Sequence, residues 1–263
     1  MLPLQMAIER GFCIFAATRN KGLSVVSRSD IIGETTDRKS GRKAANMMTN
    51  GTKRGWGTLL SGVLAGMMIA LGGTVYLSLE NKLAGAALFS IGLFFVVSMR
   101  LWLFTGKVGY LLRGGKGYGV RLLLTFAGNF IGAAAVALAL RQTRAAQALT
   151  EKAAALCAVK LGDTPLSILI LAVFCGALMY LGVNGFSAFS SALGQYGGVF
   201  LAVVVFILSG YEHCIANLYY YTLAGVWGDS GAVLSMALMV LGNGVGAVLV
   251  AEISRAAQRL MEE

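Results

Sequence analysis

Ser209-Gly210-Tyr211-Glu212-His213-Cys214-Ile215-Ala216-Asn217 interrupts a long apolar run. Before it stands Gly198-Val199-Phe200-Leu201-Ala202-Val203-Val204-Val205-Phe206-Ile207-Leu208, and after it Leu218-Tyr219-Tyr220-Tyr221-Thr222-Leu223-Ala224. The whole is long enough to cross a bilayer, yet its middle holds a glycine, an acid and an imidazole. His213 is the sequence's one histidine. Ionisable groups inside a spanning segment are costly and face a pathway or a partner. Glu212 and His213 therefore either line a path or form a polar pair that holds helices together.

The remaining composition fits a bilayer. The chain has 263 residues, 57% hydrophobic and 13% charged, with a mean hydropathy of +0.72. Soluble domains carry roughly 25% charged residues. These values describe an all-α polytopic membrane protein whose core is a helix bundle. The 35 glycines and 2 prolines suit closely packed spans. A net charge of +10 reads first as basic cytoplasmic loops. The basic residues lack the aromatic interleaving that reads bases, which excludes nucleic acid as a partner. Cys13, Cys157, Cys175 and Cys214 show neither C-x-x-C nor zinc spacing, so no metal or cofactor is expected.

Residues 1–56 hold ten Lys/Arg and four Asp/Glu around one apolar patch, Gly11 to Ala17, too short to span. They read as a basic cytoplasmic tail or as an over-extended gene start with Met47 or Met48 as initiator. The membrane pattern begins only after Lys53-Arg54-Gly55-Trp56, which favours the second. Six spans follow, at about 57–78, 83–112, 122–140, 166–186, 196–224 and 231–253, each meeting the roughly 20-residue requirement. They make one membrane domain over 57–256 and leave 257–263 as a C-terminal tail. An even count puts both termini on one side, and Arg113, Lys116 and Arg121 put that side in the cytoplasm. The 141–163 connection has the Ala/Leu/Lys/Glu content of an amphipathic surface helix outside the membrane.

The second span is broken as well. After the apolar Leu88–Met99 comes Arg100-Leu101-Trp102-Leu103-Phe104-Thr105-Gly106-Lys107-Val108-Gly109-Tyr110. Irregular backbone at membrane depth is tolerated where it lines a cavity. A repeat supports the pairing of the two breaks. Gly128-Asn129-Phe130-Ile131-Gly132-Ala133 in the third span recurs as Gly242-Asn243-Gly244-Val245-Gly246-Ala247 in the sixth, 114 residues later. Three spans is an odd number, so the two halves are inverted in the membrane, and paired broken helices in inverted halves point to a substrate site. The plain alternative is that these glycines are packing motifs, as Gly62 and Gly66 are in the first span.

One break then offers the Thr105 hydroxyl and the other the His213 imidazole, with threonine donating to one ring nitrogen and fixing the tautomer. Arg100 and Lys107 are expected on the cytoplasmic side of the first break, and Lys160 on the outer side, ahead of the fourth span. Cations at both mouths would concentrate an anion, although each alone could be snorkelling to the interface. The candidate lining is apolar: Phe89, Leu93, Leu103, Phe104 and Phe206. A bare anion enters such a place at a cost of many kcal/mol. Protonating it first costs about 1.4 kcal/mol for each unit that pH exceeds its pKa. Small weak acids are favoured, with His213 or its bound water as relay. Glu212 lies about 100° round a helix from His213 and is expected to face away and stabilise a basic group.

At these residues the sequence resembles the formate/nitrite transporter family over about 57–256. Gly210–Asn217 looks like its fifth-span motif, Leu103-Phe104-Thr105-Gly106 like its Ω-loop, and Gly128-Asn129 and Gly242-Asn243 like its third and sixth helices. Lys160 falls at its basic position before the fourth helix, and Phe89, Leu93, Leu103, Phe104 and Phe206 at its two hydrophobic constrictions. The resemblance implies an aquaporin-like six-helix protomer, a homopentamer in the cytoplasmic membrane, and an anion path through each protomer past Thr105, His213, Lys160 and Asn217. The aquaporin family itself is disfavoured, since Asn-Pro-Ala is absent and the prolines are Pro3 and Pro165. Leu101 and Trp102 stand where the family often has a small residue and an acid, and Gly176 where formate-type members often have Asn. Leu103–Tyr110 is most similar to the hydrosulfide-channel branch. Hydrosulfide is thus favoured, with formate and nitrite as co-substrates. The rival readings are a membrane enzyme using His213 and Glu212, which no second histidine or nucleophile motif supports, and a non-transporting scaffold.

Overall fold

A computed structural model describes the backbone of residues 28–262 and the side chains of 51–262. Among the described residues it is helical, without strands: α1 (Arg28–Ser78), α2 (Lys82–Ser98), α3 (Phe104–Lys107) with a 3-10 turn at Val108–Tyr110, α4 (Tyr118–Leu140), α5 (Ala146–Leu161), α6 (Pro165–Ala188), α7 (Ala192–Leu208), α8 (Cys214–Ala224) and α9 (Ser230–Glu262). Starts follow local chemistry. Asn81 and Ser191 accept from the amides of Ala84 and Gly194, and Thr164 caps α6 ahead of Pro165.

Among the described residues, four stretches are long and apolar enough to cross a membrane: Gly51–Ser78 within α1, then α4, α6 and α9. The second and fifth expected spans differ. As single helices, α2 and α7 have 17 residues each, or about 25 Å, short of a roughly 30 Å hydrocarbon core. Each is continued, after a break, by a shorter piece: α3 and its 3-10 turn, or α8. Residues 28–56 form the first part of α1 and 257–262 the last part of α9; residues 1–27 of the expected tail, and Cys13 with them, lie outside the described residues.

Neither break contains proline. Each is made by one residue of left-handed backbone, Arg100 at φ +56° and Gly210 at φ +68°. The hydrogen bonds around them match. Arg100 N–H donates to Val97 O (3.1 Å) and Leu101 N–H to Val96 O (2.8 Å); Gly210 N–H donates to Ile207 O (3.1 Å) and Tyr211 N–H to Phe206 O (2.9 Å). These satisfy the carbonyls that a helix end would otherwise leave open. Arginine bears a left-handed cost of about 1–2 kcal/mol that glycine escapes.

The spans pack backbone to backbone where the repeat places glycine. A Cβ on Gly66 would strike the Asn129 carbonyl, and one on Gly176 the Asn243 carbonyl. Gly132 and Gly246 meet the carbonyls of Val63 and Val173 in the same way. Lipid gives no hydrophobic drive between spans, so this close approach supplies the packing. At the centre, every residue of α8 from Cys214 to Leu223 is buried. The expected surface helix is α5, which buries a single stripe of Leu149, Ala153 and Cys157. Cys157, Cys175 and Cys214 are buried free thiols, in keeping with packing roles.

Candidate functional site

Two buried asparagines hold the two breaks in place. Asn129 accepts from Phe104 N–H (2.8 Å) and donates to Gly62 O (2.8 Å) and Trp102 O (2.9 Å). Asn243 accepts from Cys214 N–H (2.9 Å) and donates to Ala172 O (2.8 Å) and Glu212 O (2.7 Å). The same sequence distance separates Phe104 from Cys214, Trp102 from Glu212 and Gly62 from Ala172. Each amide thus cross-links two spans to the first residue of a half-helix, and the two halves repeat one arrangement. In the sequence these residues register only as a repeat. Their task is visible in retrospect, because an amide inside an apolar helix needs partners and a broken helix offers them.

The clamps bring Thr105 and His213 together. Thr105 Oγ1 lies 3.1 Å from His213 Nε2, and the two residues are 0% and 2% exposed. His213 is also the N-cap of α8, where its Nδ1 accepts from Ala216 N–H at 3.1 Å. An acceptor nitrogen carries no proton, so the neutral ring bears its hydrogen on Nε2 and donates to Thr105. This reverses the expected roles: a backbone amide fixes the tautomer and threonine is the acceptor. A proton on Nδ1 would face the Ala216 N–H directly.

The apolar lining is assembled in part around this contact. Phe89 and Phe206 meet edge-on with ring centroids 5.8 Å apart, and Phe206 lies 5.5 Å from the His213 ring. Leu93, one turn beyond Phe89 on α2, is buried, as is Leu103 beside Thr105. Phe104 packs instead against Phe126, at 5.3 Å.

A cavity of about 600 Å³ is lined in part by Phe206, His213 and Asn217. Lys160 lines its wall, but not as the bare cation that was expected, since its Nζ is 2.6 Å from Glu212 Oε2 and both side chains are nearly buried. Glu212 holds this base and lines the same cavity as His213. Asn217 donates to Glu212 Oε2 (2.7 Å) and to His213 O (3.1 Å), tying the ion pair to the histidine backbone, while its own buried Oδ1 accepts nothing. Toward the rim, Glu80 pairs with Lys152 at 2.6 Å. The hydrogen bond and then the charge of Lys152 hold the Glu80 carboxyl below its usual pKa.

The cations of the first break are arranged otherwise. Arg100 is exposed and its structural part is the backbone turn. Lys107 Nζ lies 5.6 Å from the centroid of the Trp102 ring, and Arg121, which the sequence placed simply in a basic loop, puts its Cζ 4.0 Å from the same ring. Among the described residues, no His/Cys/Asp/Glu group is arranged to hold a metal.

Helices long enough to span, two matched broken helices and a polar contact sealed between them define a multi-pass membrane protein. Residues 38–256 match the family model described as "Formate/nitrite transporter", and the chain belongs to that family. The match begins ahead of residue 57, where the sequence motifs begin. The chain is 27% identical over 226 residues to the formate channel FocA of Haemophilus influenzae, covering 77% of this chain and 76% of that one. Two solved structures share the fold. One is a pentameric formate channel with formate bound, with a TM-score of 0.65, 22% identity, and coverage of 80% of this chain and 97% of that one. The other is an FNT family ion channel, with a TM-score of 0.66, 21% identity, and coverage of 88% and 99%. The family's members are channels, not enzymes, and the rival reading of His213 and Glu212 as an enzymic acid–base pair falls away.

Proposed function

We propose that this protein is a homopentameric channel of the cytoplasmic membrane for small monovalent weak-acid anions, hydrosulfide foremost, with formate and nitrite also carried. Each protomer has six spans in two inverted halves, with both termini cytoplasmic. The anion enters the cavity beside Lys160 and Glu212 and meets the Phe89–Phe206 closure. It crosses as the neutral acid past Thr105 and His213. What carries this reading is the buried Thr105–His213 contact at the inner end of the cavity, a pair of hydrogen-bonding groups inside an otherwise apolar wall. Because Nδ1 is held by Ala216 N–H, the ring presents Nε2–H as a donor, and the proton that neutralises the anion comes from cavity water. A passing acid exchanges hydrogen bonds with Nε2–H and the Thr105 hydroxyl. Hydrosulfide, whose conjugate acid is much weaker than formic acid, is neutralised at least cost, about 1.4 kcal/mol less for every unit between their pKa values. The likeness to a formate channel and to a pentameric formate channel with formate bound supports formate as a further substrate and a pentamer as the assembly.

The test is uptake into proteoliposomes of hydrosulfide, formate, nitrite, chloride and glycerol. Hydrosulfide should enter fastest, formate and nitrite measurably, and chloride least, with uptake rising as external pH falls. Passage of glycerol with failure of all the anions refutes the channel reading. Formate outrunning hydrosulfide at equal concentration and pH refutes the preference.

A further inference from the structure

We propose that Lys107 and Arg121, gathered on the Trp102 ring, form a second anion-binding site on the first-break side of the molecule, apart from the Lys160 cavity. The two halves of the fold treat one position differently. In the second half it is Glu212, which holds Lys160 through a carboxylate and cancels its charge. In the first half it is Trp102, which draws two cations by the face of its ring. A π-face attracts a cation without neutralising it. Among the described residues, every carboxylate that forms an ion pair forms it elsewhere: Glu252 with Arg113 and Arg255, Glu80 with Lys152, Glu212 with Lys160. Arg121 Nε is buried and donates to nothing. Arg121 also sits in the first turn of α4, whose N-cap, Gly117, supplies no side-chain hydrogen bond. That end of a helix already carries positive potential and favours an anion.

The site is built, not incidental. Trp102 N–H donates to Ser61 Oγ (3.0 Å), and Trp102 O accepts from the clamp Asn129 (2.9 Å). Tyr118, 6.3 Å from the indole ring, donates to Lys107 O (2.8 Å). Two fixed positive charges, an unused guanidinium donor and an uncapped helix start therefore converge beside the Leu103-Phe104-Thr105 wall. The ligand class is a small monovalent anion. The site deepens the channel reading and rests on it for its role, which is to load one end of the path, but binding itself does not require transport.

Tryptophan emission of the purified full-length chain, titrated with iodide and with neutral acrylamide, tests this. A saturable iodide component should appear and should vanish in Trp102→Phe. In the double variant Lys107→Gln/Arg121→Gln its affinity should fall about tenfold, as expected for two unit charges roughly 5 Å from the ion in a water-like medium. Acrylamide quenching should stay unchanged. Arg121→Lys keeps the charge and should keep most of the affinity, which separates charge loss from misfolding. Iodide quenching that never saturates, or that is equal in wild type and double variant, overturns the site. Anion uptake at low salt should fall about tenfold in Trp102→Glu, with the gap closing at high salt. Uptake absent throughout while the quenching pattern holds refutes the channel and leaves the site. Normal uptake with no saturable quenching refutes the site and leaves the channel.

Discussion

His213 has two separable tasks, and two substitutions separate them. Its Nδ1 caps α8 and its Nε2 meets Thr105, both at 3.1 Å. Asparagine is short and caps well, so His213→Asn keeps the first task and loses the second. Leucine, the residue at the equivalent place in the first break, loses both. An absent cap costs about 1 kcal/mol, which should speed hydrogen exchange at the Ala216 amide about fivefold in His213→Leu and leave it near wild type in His213→Asn. Loss of the Nε2–H donor withdraws one net hydrogen bond from the passing acid, about 0.5–1.5 kcal/mol, or roughly two- to tenfold in flux in both variants. The pH dependence should keep its shape, since the titrating species is the substrate and neutral acid falls tenfold per unit above its pKa. Exchange in a backbone-labelled sample and stopped-flow uptake between pH 5 and 8 read the two effects independently. An inflection in the wild-type pH profile that disappears in His213→Asn would show that the ring itself titrates, and would sink the fixed-tautomer reasoning. Wild-type exchange at Ala216 in His213→Leu would dispose of the cap.

Two further outcomes follow from the geometry. Asn243→Ala strands the Cys214 amide and the Glu212 carbonyl, two buried groups at about 1 kcal/mol or more each, and Asn129→Ala strands their counterparts; both should lower the melting temperature in detergent by about 4–8 °C and by similar amounts, and a shift below 2 °C in either removes the clamp assignment. Glu212→Gln leaves Lys160 without its countercharge in a nearly buried place, a loss of about 2–3 kcal/mol after discounting for the adjoining cavity; adding Lys160→Met should restore part of the lost melting temperature, and a double variant less stable than the single would show that the pair is not the source.

The two breaks were legible because charge and glycine stand where lipid would exclude them: Arg100 and Lys107 in one run, Gly210 and Glu212 in the other. The Gly-Asn repeat was legible from spacing alone. What those asparagines bind was not, since Asn243 reaches Ala172 and Glu212 from positions 71 and 31 residues away. Lys160 read as a free cation because its partner Glu212 is 52 residues distant and only folding joins them. The cap at His213 escaped notice for a chemical reason. Ser, Thr, Asp and Asn announce a helix start, whereas histidine announces a proton. Arg121 read as a loop charge because nothing in its neighbours says that Trp102 stands over it. The family motifs led to the site, but which cation is neutralised and which is left bare lies in the contacts.

The fold is close to symmetric at its clamps and deliberately unlike at its apices. Asn129 and Asn243 hold equivalent atoms, and the left-handed turns at Arg100 and Gly210 are interchangeable in their hydrogen bonds. Two residues on, Trp102 stands opposite Glu212, and three residues on, Leu103 stands opposite His213. Two leucines there would give a path with no donor, in which a small acid loses its water and gains nothing. Two histidines would bury two rings, each needing a partner for Nε2. One of each gives a single ring donor against an apolar wall, and Thr105, the second residue of α3, supplies the acceptor that keeps that donor satisfied. A neutral acid can trade with that pair bond for bond, because it brings both a donor and an acceptor. On the proposed neutral-acid route, the donor that replaces the acid's water is thus set by what the symmetric scaffold places three residues past its left-handed turn, and not by charge at the constriction.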